Sequence, residues 1–309
     1  MRKHAQVIPS FLFEVHLQRV FAELSSGRPG PLVIVIAALH GNEHAGVHAL
    51  SRLQNALSAQ DFTGKIVGVV GNLGAYLQNQ RYLEADLNRI FVPERLSQCP
   101  RKVREVAEAN TLIETINTLI DDHEGEVHLL DVHSMSGEGL PFSCFPHRDE
   151  NEKIARRIPL PAIANIVQIL PGTLTEYFAD KLASTMVVEC GQHVAEITKE
   201  NAYAALLSYL DIVGVLNNYA LAKRAREHLK TIVGEFSDVF TRVNFRYHIV
   251  NQGYFEMQPG YSNLQDVAVN ELLAIDRGCE VRAPHNGRVV LPCYQKQGDD
   301  GFFIAVDEP

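Results

Sequence analysis

The stretch Pro31–Gly46, PLVIVIAALHGNEHAG, constrains the fold of this chain more than any other. Seven apolar residues in a row, Leu32 to Ala38, lead through Leu39 to His40-Gly41-Asn42-Glu43. A half-exposed strand alternates apolar and polar residues. An uninterrupted run rich in Val and Ile instead reads as a strand covered on both faces, as in a parallel sheet flanked by helices. Gly41 and Asn42 end the run, and a helix is expected from Glu43 or His44. His40 and Glu43 therefore fall at the carboxyl end of a central strand, the edge where open α/β sheets carry their sites.

The rest of the chain repeats this grammar. The stretch Gly64–Gly71 reads as a second strand, parallel to the first through a helix over His44–Leu57. A long polar loop, Asn72–Arg89, and an amphipathic helix, Arg101–Ile120, follow. Further strands are expected at Glu126–Ser134, Ala162–Leu170 and Ser184–Cys190, then a helical pattern over Asn201–Val215 that continues to Leu229. From Thr231 short alternating segments broken by Gly and Pro dominate. The expectation is an α/β fold with a catalytic domain at 1–230, which includes an extended piece at Ala5–Ile8, and a small β-rich domain at 231–309.

Composition excludes several function classes. The net charge of -9 and the lack of a basic block argue against nucleic acid or an anionic membrane surface as partner. An anionic substrate must then meet local arginines. Five cysteines, an odd number with no C-x-x-C pair, read as reduced thiols of a cytoplasmic protein. No signal peptide is recognised, and no apolar run approaches the ~20 residues of a membrane span. Self-association into a homo-oligomer is left open.

Three expected strands end in ionisable residues: His40 with Glu43, then His133, then Glu189. In a doubly wound sheet these ends share one edge, so the four side chains can converge. Two histidines and a carboxylate suit zinc and leave a position for water, as in catalytic rather than structural sites. Glu189 is then free to serve as general base and later as acid to a leaving amine. Asp131 lies two residues before His133 and can back its imidazole. Arg81 and the pair Asn88-Arg89 suit carboxylate binding or an oxyanion, or a solvated loop. His40, Glu43 and His44 also spell H-x-x-E-H, the inverted zincin pattern, which would need His40 and His44 on one helix. A β-branched strand ending at Leu39 argues against that. His44 reads as a helix-start residue and His48 as packing or surface.

His40-Gly41-Asn42-Glu43, RYLEADLNR (81–89), DVHS (131–134) and VVECG (187–191) resemble, in order and spacing, the succinylglutamate desuccinylase/aspartoacylase family of the wider zinc carboxypeptidase group. APHNGRVV (283–290) resembles that family's small β domain. The resemblance implies a carboxypeptidase-like mixed, mostly parallel sheet between helices, with the β domain narrowing the entrance. It implies one zinc ion held by His40, Glu43 and His133, water activation by Glu189, polarisation of the scissile carbonyl by Arg81, and a substrate carboxylate held by Asn88 and Arg89. The implied reaction is hydrolysis of a small anionic N-acyl amino acid or related amide to a carboxylate and an amine.

The chain also departs from the family. Aspartoacylases carry a substrate-gripping arginine about ten residues before the base glutamate, where this chain has Ala179, Asp180 and Lys181. They also bring in a C-terminal tyrosine, where this chain offers Phe302, Phe303 or Tyr294. Lys181 and Tyr177 read as surface and packing residues, while Pro141, Phe142 and the Ser134–Gly139 loop are expected to line the pocket. Two other readings stay open: a zinc carboxypeptidase acting on short peptides, and a catalytically silent zinc- or metabolite-binding protein.

Overall fold

A computed structural model describes residues 18–98 and 103–307. The expected extended piece Ala5–Ile8 lies outside them. The strands are β1 (Val20–Ser25), β2 (Leu32–Ala37), β3 (Lys65–Val70), β4 (Val127–Met135), β5 (Phe142–Cys144), β6 (Ala162–Ala164) and β7 (Ser184–Gln192). They continue with β8 (Phe240–His248), β9 (Phe255–Met257), β10 (Asp266–Val267), β11 (Leu272–Asp276), β12 (Cys279–Arg282), β13 (Gly287–Val290) and β14 (Asp300–Asp307).

The expected buried strand is β2, and every one of its residues is buried. Its pleat explains the unbroken apolar run. Val33, Val35 and Ala37 enter one core cluster with Leu50 and Leu53 of the helix Ala45–Ala56 and with residues of the helices Glu196–Ile212 and Tyr219–Val233. Leu32, Ile34 and Ile36 enter the opposite cluster with Val106, Ala109, Leu112 and Ile116 of the helix Arg104–Asp121. Side chains alternate across a strand, so only a strand apolar at every position can serve two helical layers. Burial of each such side chain is worth about 1.5–3 kcal/mol.

The strand order is β1-β3-β2-β4-β7-β5-β6-β8-β14-β13-β10, with β9, β11 and β12 in a separate three-stranded sheet. The pairs β2–β3, β2–β4 and β4–β7 are parallel, which sets the ends of β2, β4 and β7 side by side. Antiparallel pairs flank this centre: β1 with β3 and β5 with β7. The change of character near residue 230 coincides with the end of the helix Tyr219–Val233. Beyond it β8 pairs in parallel with β6, and β14, β13 and β10 extend the same sheet.

Three expectations need correction. The apolar stretch Ala162–Leu170 is a strand only to Ala164. Asn165 takes φ 75° there, a left-handed conformation that asparagine tolerates, and a short helix Ile166–Ile169 follows. The pattern after Asn201 is two helices, broken where Gly214 adopts φ 76° between Ile212 and Tyr219. The long polar loop folds in part, into a helix at Leu73–Leu77 and a single turn at Leu87–Arg89.

Candidate active site

The chain leaves β2 through Ala38, with φ 52°, and turns at Gly41 before the helix starts at Ala45. A Cβ on Gly41 would lie 2.2 Å from the backbone carbon of Ala75, 2.3 Å from the Tyr76 nitrogen and 2.5 Å from the Gln80 oxygen. Only glycine allows this approach, and the Gly41 N–H donates to the Arg81 carbonyl at 3.1 Å. The turn therefore seats the Arg81 loop against the end of β2. His40 precedes the helix, and His44 is its N-cap residue, with its ring 5.0 Å from that of Tyr76 and tilted against it. Both histidines do not project from one helix, so the inverted zincin arrangement is not formed.

His40, Glu43 and His133 are buried and converge, with donor atoms all within 4.8 Å of one another. Glu43 Oε1 is 2.8 Å from His40 Nδ1, and Glu43 Oε2 is 3.0 Å from His133 Nδ1. The Ser134 N–H donates to Oε2 at 2.9 Å, and Arg81 Nη1 donates to Oε1 at 3.3 Å. Each imidazole turns its other nitrogen towards an acid. His40 Nε2 is 3.2 Å from Asp86 Oδ1, and His133 Nε2 is 2.9 Å from Asp131 Oδ2.

This donor set fits a divalent cation. With the N–H of each imidazole on its acid-facing nitrogen, both Nδ1 lone pairs face the Glu43 carboxylate, itself an acceptor, which is the arrangement of metal ligands. Acceptors meeting at one point repel one another unless a positive charge lies among them. The electrostatics agree. Burial opposes charge on Glu43, but the His40 and His133 imidazoles outweigh it and hold the carboxyl well below its ordinary range. Burial likewise opposes a charged His133, yet Asp131 and Glu43 push it well above the ordinary imidazole value. A field that favours a proton there also favours a metal ion.

Glu189 lies opposite His133 in the β4–β7 register. Its Oε2 is buried without a hydrogen-bond partner. Burial, countered by His133 and reinforced by Glu43, raises its carboxyl to about 8. Arg81 Nη2 reaches Asp86 Oδ2 at 3.2 Å, which leaves Arg81 between two acids. Asn88 and Arg89 sit on the turn Leu87–Arg89. Asn88 Oδ1 accepts from the Leu174 N–H at 2.9 Å, and Arg89 Nη2 pairs with Asp300. Gly172 (φ 81°) allows this packing, since a Cβ there would lie 2.5 Å from the Arg89 carbonyl oxygen.

All seven expected site residues line one cavity of about 830 Å³, counting the part open to solvent. Of the expected loop, Ser134 and Ser136 line it with the intervening Met135, while Gly137–Gly139 and Pro141 do not. Phe142 is fully buried in β5 and packs into a core cluster; Cys144, further along the strand, forms part of the wall instead. Lys181 lies outside the cavity wall, over the Tyr177 ring at 4.3 Å. Tyr294 also lies outside it, donating to the Gln258 carbonyl, whereas Phe303 is in the wall. Asp86 and Asp300 carry contacts that the sequence reading did not assign. The first stands in RYLEADLNR beside assigned residues and was within reach of it. The second is 211 residues from the arginine it pairs with and has no local signal.

The fold is an α/β sheet flanked by helices, with a cavity whose polar groups gather at the strand ends. Residues 29–210 match the Succinylglutamate desuccinylase/Aspartoacylase catalytic domain, and the chain belongs to that family of amide hydrolases. It is 32% identical over 104 residues to a probable aspartoacylase of Acaryochloris marina, a match spanning 33% of this chain and 34% of that protein. It is 23% identical over 271 residues to a succinylglutamate desuccinylase of Serratia proteamaculans, covering 84% of this chain and 79% of the relative. Among solved structures it superposes on the ectoine utilization protein EutE (DoeB) of Ruegeria pomeroyi with a TM-score of 0.68. That match has 20% identity and covers 92% of this chain and 87% of the other.

Proposed function

We propose that this chain is a cytoplasmic zinc-dependent deacylase that hydrolyses a small N-acyl amino acid or related N-acyl amine to a carboxylate and an amine. The observation that carries the reading is the convergence of the His40 and His133 Nδ1 atoms on Glu43 in the cavity that also holds Glu189 and Arg81. A zinc ion held by His40, Glu43 and His133 would supply Lewis-acid polarisation of the water and of the amide carbonyl. Glu189 takes a proton from the attacking water as its oxygen bonds to the carbonyl carbon, then returns that proton to the amine nitrogen as the C–N bond breaks. Burial raises the Glu189 carboxyl above its ordinary range, which makes it a stronger base than an exposed carboxylate and suits it to carry the proton between the two steps. Arg81, free to donate from Nε, stabilises the oxyanion that develops on the carbonyl oxygen. Asn88 and Arg89 orient the substrate carboxylate.

The experiment is amine release from a panel of N-acyl amino acids by zinc-loaded protein, with a chelated control. Turnover that is lost on chelation and restored by zinc supports the reading. No turnover across the panel, with zinc verified as bound, removes it, and cleavage of longer peptides would replace it with a carboxypeptidase.

A further inference from the structure

The cavity has two unlike halves. One holds the groups described above. The other is walled by Met135, Ile166, Val167, Leu170, Leu291 and Phe303. Five of these six are buried members of a single apolar cluster, and Leu291 packs against it. Leu291 adopts φ 52°, a backbone conformation that leucine rarely takes. Its N–H donates to the Asn263 Oδ1 at 3.0 Å, and Asn263 also donates to the Leu140 carbonyl at 2.9 Å. Tertiary contacts thus hold Leu291 in the wall against its local preference.

The charges complete the picture. Two arginines are the permanent cations among the described residues lining the cavity. Arg81 already lies between Glu43 and Asp86. Arg89 pairs with Asp300, whose other oxygen takes Arg246 Nε at 2.6 Å. Arg89 keeps a buried Nε with no protein partner, so it retains capacity for one substrate carboxylate. A second carboxylate placed in the apolar half would lose its water and find no cation there, a costly transfer.

We propose that the substrate of this site is monoanionic and carries an apolar group, on either its acyl part or its amino-acid side chain, that fills the half walled by Met135, Ile166, Val167, Leu170, Leu291 and Phe303. Asp300 is the specificity residue that pre-neutralises Arg89 and disfavours a second acid. This inference rests on the deacylase reading.

The test compares kcat/KM of the zinc-loaded enzyme for N-acetylleucine and N-acetylphenylalanine, for N-hexanoylglycine, for N-acetylglycine, and for N-acetylaspartate and N-succinylglutamate. The first two place the apolar group on the side chain and the third places it on the acyl part. At least one apolar arm should exceed N-acetylglycine by about tenfold or more, since each methylene in an apolar pocket is worth at least that. It should exceed dianionic N-acetylaspartate and trianionic N-succinylglutamate by about a hundredfold, the usual scale on which a mismatched pocket discriminates. Leu291→Asn, which suits a positive φ, should cut the apolar preference about tenfold. Asp300→Asn should raise N-acetylaspartate and N-succinylglutamate relative to the apolar substrates by about the same factor. Preference for N-acetylaspartate, N-succinylglutamate or N-acetylglycine overturns the inference and leaves the deacylase reading standing. No turnover of any member overturns both. The wild-type ratios decide the matter even if neither variant folds.

Discussion

The two sides of the cavity are built differently. One side is the carboxyl ends of β2, β4 and β7, three neighbouring parallel strands whose residues are almost all buried. It presents His40, Glu43, His133 and Glu189. The other side comes from the tail, where β14 and the segment before it bring Leu291, Gln295, Gln297, Asp300 and Phe303 to the same space. The strand-end side is backed by the sheet and by two helical layers, so its groups stand in fixed relation. The tail is tied across by side-chain bonds, such as Gln297 Nε2 to the Tyr82 carbonyl at 3.1 Å and the Tyr294 N–H to Ser136 Oγ at 3.1 Å. The proposed metal ligands and base thus stand on the sheet edge, and the tail walls the space beside them.

Substitutions can break that division, the largest effects being expected on the strand-end side. His40→Ala and His133→Ala should each lose stoichiometric metal, and activity with it, while His44→Ala keeps the ion; metal analysis after dialysis reads this directly. Metal loss in His44→Ala would mean that the ligand set is wrong. Glu189→Gln should bind metal normally and lower kcat by about 10²–10⁴-fold, the range of general acid–base catalysis. A Gln variant as active as the parent would sink the proposed base. Asp131→Asn and Asp86→Asn remove the acids behind the two imidazoles and should weaken metal affinity by about 10–100-fold, measured by competition with a chromophoric chelator. On the tail side, Phe303→Leu should alter kcat/KM for the best substrate by about tenfold while leaving metal affinity unchanged. If Phe303→Leu shifts metal affinity as strongly as Asp131→Asn does, the two sides are not separable.

Much of the strand-end side was legible from local pattern. The apolar runs of β2, β4 and β7 declare strands buried on both faces, and the first polar residues after such runs must fall at one sheet edge. Asp131 was readable as the partner of His133 because two residues along a strand return to the same face. Other parts misread for identifiable reasons. The stretch Ala162–Leu170 is apolar throughout, and an apolar run of that length does not distinguish strand from buried helix. The left-handed turn at Asn165 settles it. Phe142 was expected at the pocket on proximity in sequence, yet β5 places it in the core opposite Glu189 in the register with β7.

By itself the sequence determined a parallel-centred α/β sheet, the place of His40, Glu43, His133 and Glu189 at its carboxyl edge, and the β-rich character of the tail. Those properties follow from side-chain periodicity within single elements and from where each element stops. Only the tertiary structure decided that β8 joins β6 and carries the tail into the catalytic sheet. Only it brought Asp86 between His40 and Arg81, set Asp300 on Arg89, and held Leu291 in the wall at a positive φ. Apart from the Arg81–Asp86 pair, these contacts join residues far apart in the chain. They depend on loop closure and on competition among many packings, and no periodicity in a local window records that competition.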